Sequence, residues 1–152
     1  MEFITYLDKI EIEIISIVKK AGYSIEENTP LCLLGKDYVG FLKKRQKTIV
    51  ICTDNAKNRE GYKYLNRKND DIKRRIGLHL KKAIRHESVH VAQSCNKGNI
   101  LNKKKYLSMN PTKENALKGS MKISSNKNKE IEAYVLEDKP KLIKEELKKY
   151  CL

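Results

Sequence analysis

The segment Ile84-Arg85-His86-Glu87-Ser88-Val89-His90-Val91-Ala92-Gln93 holds two of the chain's three histidines, four residues apart, with a glutamate directly after the first. On a helix, side chains at i and i+4 leave one face about 6 Å apart along the axis. Two imidazoles so placed can converge on a Zn²⁺ ion at ~2.0 Å. Glu87 then lies beside the metal and can act as general base toward a water whose pKa the metal lowers. A catalytic zinc needs a third protein ligand and one open position. No histidine follows His90 at a six-residue spacing, because Asn96 stands there, and Cys95 falls on a different helix face. A downstream carboxylate remains, and Lys129-Glu130-Ile131-Glu132-Ala133-Tyr134 offers two. Glu130 shares a helical face with Ala133, Tyr134 and Glu137, and the small Ala133 would let a second helix approach the first closely. Glu132 points roughly 200° away and is the alternative.

These residues need two helices and a frame. From Glu2 to Ala21, the apolar residues Phe3, Leu7, Ile10, Ile14, Ile15 and Val18 fall in a helical stripe that Gly22 can stop. Three short apolar runs follow, Leu31–Leu34, Tyr38–Leu42 and Thr48–Cys52. They predict a small sheet of about three strands, the last two antiparallel about the charged connection Lys43–Lys47. Residues 54–70 read as a loop with one short helical turn. Asp70-Asp71 then opens a helix carrying Ile72, Ile76, Leu80, Ala83, Ile84 and Val89, ending near Cys95. Residues 96–127 read as a long, basic, poorly structured connection. Ser124 or Ser125 can cap a helix that contains Glu130 to Glu137, and Pro140 suits the first turn of a last helix reaching Tyr150. The pattern is a single α+β domain over residues 1–152: an N-terminal helix, a small antiparallel-containing sheet, the motif helix and C-terminal helices.

H-E-S-V-H followed by E-I-E-A-Y on a second helix resembles the gluzincin group of zinc metallopeptidases, in particular its minimal single-domain members from bacteria and phages. The resemblance implies a zincin-like fold and a peptide or protein substrate. It also implies Zn²⁺ held by His86, His90 and Glu130, with Glu87 as the general base. Many gluzincins carry Asp or Asn four residues after the ligand glutamate, whereas this chain has Tyr134 there. Glu137 or Asp138 are the substitutes at hand for orienting a ligand imidazole. In such folds a sheet edge beside the cleft can take an extended substrate as an added strand, and Thr48–Cys52 is the candidate. His79 is two turns before His86, too far to ligate, and is expected to be structural or to line the cleft. Tyr134 and Tyr106 are candidate phenols for stabilising an oxyanion, and spacing selects neither.

Composition bounds the remainder. In 152 residues, 33 Lys+Arg against 19 Asp+Glu give a formal charge of +14. Residues 1–35 carry −3, residues 36–128 carry +17 and residues 129–152 are neutral. The excess therefore surrounds the motif. A polyanion partner is the functional reading of that charge, and A/T-biased codon usage is the bland one. The competing function is a basic nucleic-acid-binding protein with a structural or vestigial zinc. No apolar run approaches the ~20 residues of a membrane span. The acidic N-terminus is unlike a secretory signal. A cytoplasmic location is therefore expected, and the four cysteines, which lack C-x-x-C spacing, are expected to be free buried thiols without export.

Overall fold

The computed structural model describes residues 1–61, 70–101, 110–122 and 126–152. Chain order is a 3-10 helix Glu2–Tyr6, α1 (Lys9–Lys20), β1 (Ser24–Glu27), α2 (Leu31–Leu34), β2 (Gly40–Lys43), β3 (Thr48–Ile51) and α3 (Thr53–Arg59). Then come α4 (Asp70–Asn96), α5 (Pro111–Ser120), α6 (Lys127–Leu136) and α7 (Pro140–Cys151). The expected α+β pattern holds, and helices dominate it.

The long helix α4 is the axis on which α1, α3, α6, α7 and strands β2 and β3 pack. Its Ile76, Leu80 and Ile84 are fully buried against Phe3, Ile14 and Val18 from the N-terminal helices and Ile143 and Leu147 from α7. Each such side chain contributes roughly 1.5–3 kcal/mol by leaving water. Asp8 breaks the N-terminal stripe into two helices. Its backbone N–H donates to Glu11 at 3.0 Å, which closes the first turn of α1. Glu11 is itself fully buried and receives Arg85 Nε at 2.7 Å from α4. The residue directly before His86 thus ties the motif helix to α1.

The sheet differs from the expected one in two places. Its order is β1-β3-β2, with β1 parallel and β2 antiparallel to β3. Leu31–Leu34 is a short helix, and the third strand is the mostly polar Ser24–Glu27. Four apolar residues in a row do not separate a strand from a helical turn, whereas β1 is an edge strand with only Ile25 apolar. Thr48–Cys52, expected at the edge, supplies the central strand. Its Thr48-Ile49-Val50-Ile51 run is buried throughout, as a strand covered on both faces must be. Ile49 and Ile51 face the helices, while Val50 and Cys52 pack with Cys32 and Phe41 on the other side.

The cysteines are paired, which overturns the expectation of free thiols. Cys32–Cys52 fastens α2 to the far face of the sheet, and Cys95–Cys151 joins the end of α4 to the end of α7. Neither pair is close in sequence, and spacing carried no sign of them. The connection expected over 96–127 contains α5, whose Asn110 side chain caps it by accepting from Lys113 N at 2.9 Å. Asn126 caps α6 in the same way, and Ser124 and Ser125 lie outside the described residues. Pro140 opens α7 as expected. Among the described residues, no helix is long and apolar enough to cross a membrane.

Candidate metal centre

α4 and α6 bring three ligand groups together. Glu130 Oε2 lies 3.1 Å from His86 Nε2, and Glu130 Oε1 lies 3.1 Å from His90 Nε2. One ligand atom from each of the three lies within 4.8 Å of the others, and all three residues are buried. Ligands at ~2.0 Å in a tetrahedron sit ~3.3 Å apart, so the donor set fits a small divalent ion such as zinc. Ala133, one turn after Glu130, is fully buried at the α4–α6 contact, as its small size led us to expect.

Each imidazole is held from behind. His86 Nδ1 lies 3.2 Å from Glu137 Oε2, and His90 Nδ1 donates to Gln93 Oε1 at 2.8 Å. A proton kept on each Nδ1 leaves the Nε2 lone pair free for a metal. Glu137, weighed as a substitute for the residue at position 134, takes this role, whereas Asp138 meets Lys113 instead. Lys113 of α5 reaches Glu137 Oε1 at 2.8 Å and fixes that carboxylate in turn. Gln93 was passed over in the sequence. The available signal was its position three residues after His90, which puts it on the same helix face.

Glu132, the alternative ligand, is elsewhere. Its carboxylate accepts from Gln93 Nε2 at 3.0 Å, Ile100 N at 2.8 Å and Leu101 N at 2.9 Å. It supports the centre through Gln93 and ties down the chain after α4. Tyr134 packs its ring at a tilt against His86, with centroids 4.3 Å apart. Its hydroxyl donates to Ala116 O at 3.0 Å and pairs with Ser120 Oγ, so it anchors α5 and is not free for an oxyanion. Burial chiefly pushes that phenol up to about 12. Tyr106 lies outside the described residues. His79 is structural, with Nε2 2.7 Å from Glu60 Oε1.

The charged groups of the cluster perturb one another strongly. Burial works against a charged His86, but Glu130 and Glu137 on its two sides outweigh it and raise the imidazole to about 10. Burial likewise opposes charge on Glu130, but the two imidazoles hold it well below the usual carboxylate range. Glu87 moves the other way. Burial is the main reason its pKa is raised, with the two histidines partly offsetting it.

The triad lies in a cleft of about 600 Å³ that buried Glu87 also lines. One wall is β2 and the turn after it, and Ser120, Asn126 and Lys129 line the other. Gly40 packs against α4 so closely that an added Cβ would lie 3.2 Å from Ala83 Cβ and 3.4 Å from Glu87 Cγ. Cys52 N–H donates to Val39 O at 2.7 Å. Antiparallel pairing alternates, so the N–H and C=O groups of Gly40 and Leu42 point away from β3 toward the open edge. The strand beside the cleft is thus β2, not the expected Thr48–Cys52.

No curated protein and no solved structure matches the chain. Residues 3–152 match the family described as "Domain of unknown function (DUF8637)", and the chain belongs to that family.

Proposed function

We propose that this protein is a zinc-dependent peptidase of gluzincin type with a zincin-like fold. The observation that carries the reading is the convergence of His86, His90 and Glu130 in an open cleft with buried Glu87 beside them. A structural zinc is closed by four protein ligands, and three with open space in front support a catalytic site. His86, His90 and Glu130 would hold the ion. Bound zinc supplies a Lewis acid that makes water more acidic and polarises a substrate carbonyl.

Glu87 takes the proton of the attacking water and passes it to the leaving amine. Its place in the cleft beside His86 and His90 puts its carboxylate where both proton transfers would occur. The outward main-chain groups of Gly40 and Leu42 hold a peptide as an added strand. Gln93 and Glu137 keep the imidazoles oriented without touching substrate. Two disulfides favour an oxidising compartment over the cytoplasmic location expected from the acidic N-terminus and the short apolar runs.

Metal analysis with a peptide-cleavage assay tests the reading. We expect about one zinc per chain, lost in His86→Ala. Glu87→Gln should keep the zinc and lose about a hundred- to ten-thousand-fold in cleavage rate. Protein that binds no metal, or cleaves as well with Gln at 87, would remove the peptidase reading. A metal-free protein that bound nucleic acid with a steep salt dependence would favour the competing function.

A further inference from the structure

Away from the metal, the charged side chains lining the cleft have one sign. Glu87 and Glu130 are the acidic ones, and Lys43, Lys44, Arg45 and Lys129 are the basic ones. Two neutral imidazoles, two carboxylates and a divalent ion sum to zero, so the basic groups set the field that a ligand meets. Lys43 pairs with Glu26 at 2.9 Å. Among the described residues, Lys44, Arg45 and Lys129 enter no ion pair.

Their positions have a direction. Gly40 backs Glu87 and marks the metal end of β2, while Lys44 and Arg45 stand in the turn beyond the other end. At ~3.3 Å per residue, Lys44 is about 13 Å along the strand from Gly40. A peptide added antiparallel to β2, the slightly more stable pairing, has its amino-terminal part at that turn. Lys129 adjoins Glu130 in sequence and stands across the cleft.

Resting on the peptidase reading, we infer that the cleft selects acidic peptide segments, with Asp or Glu three to four residues before the bond presented to the metal. Lys44 and Arg45 are the specificity-determining residues. An acidic peptide suits the site better than nucleic acid does, because the outward N–H and C=O groups of Gly40 and Leu42 match a peptide backbone.

Binding can be measured without turnover on zinc-loaded Glu87→Gln protein, by fluorescence anisotropy with labelled decapeptides. One peptide carries two Glu in its amino-terminal half, a second carries them in its carboxy-terminal half, and a third has Gln in their place. We expect the first to bind about tenfold tighter than the Gln peptide at low salt. The advantage should fall to within about twofold in Lys44→Gln/Arg45→Gln protein of unchanged zinc content. Equal binding of all three peptides would overturn the inference, as would preference for the second. Single-stranded oligonucleotide displacing the first peptide at equal charge would also overturn it, in favour of nucleic acid. Wild-type cleavage of the same peptides separates the two claims. Cleavage without acidic preference removes only the specificity, whereas acidic preference without cleavage removes only the peptidase.

Discussion

At the scale of single residues, the two candidate third ligands divide cleanly. Glu130 meets both imidazoles, whereas Glu132 meets two backbone amides and Gln93. Glu130→Ala should therefore lose zinc and keep most of the fold. Glu132→Ala should retain zinc but destabilise the protein by about 2 kcal/mol, because Gln93 and two part-buried backbone donors lose their acceptor. Metal analysis with urea unfolding of both variants checks this. The metal-free protein carries a second signature. His86 has its pKa raised from 6.5 to about 10, so its proton adds stability below pH 6.5 that is lost as pH rises through about 10. Zinc must displace that proton, so apparent affinity should rise roughly tenfold per pH unit across the neutral range. Competition with a chelating indicator at pH 6, 7 and 8 measures it. His86, Glu87 and His90 were legible because their i, i+1, i+4 spacing is itself the geometry. Gln93 and Glu137 were harder to see, since a supporting hydrogen bond can come from any polar residue that the fold brings near.

At the scale of elements, legibility followed the strength of the periodic signal. α4, α6 and α7 stood where the apolar spacing and Pro140 put them. The sheet was only half readable. A run of Leu and Cys turned into a helical turn held by a disulfide and by Asn55, whose Nδ2 lies 3.0 Å from Cys32 O and 2.8 Å from Tyr38 O. β1 was hidden by its glutamates. Glu27 is kept there for a task of its own, accepting the backbone N–H groups of Glu2 and Phe3 and the hydroxyl of Thr53. The close passage of β2 over α4 at Gly40 sets the cleft wall on which the proposed peptidase activity would rely. Gly40→Val should push the strand off Ala83 and Glu87, raising KM and lowering kcat together while zinc content stays at one per chain. Steady-state kinetics on any cleaved peptide tests it, and unchanged kinetics would show that the contact does not position the cleft wall.

At the scale of the whole molecule, the +14 charge is spread unevenly, and the part that matters to the site borders the cleft. The disulfides set the other global property. Cys95–Cys151 spans 56 positions of sequence, and a crosslink of that reach is worth about 2–4 kcal/mol. Cys95→Ser should lower stability by that amount in denaturant unfolding, and dithiothreitol should lower wild type to the same level if Cys32–Cys52 survives it. Cysteine pairing is a relation between distant elements, here the ends of α4 and α7, and composition cannot display it. The consequence for the centre is one of tethering. Glu130 and Glu137 both lie inside the loop that Cys95 and Cys151 close, and Cys95 follows His90 by little more than one helical turn. The two-histidine half of the chelate is thus covalently moored to the segment that delivers its carboxylate half. If the triad holds zinc, a crosslink that keeps the two halves close should slow loss of the ion to a chelator, and reduction of Cys95–Cys151 should speed it.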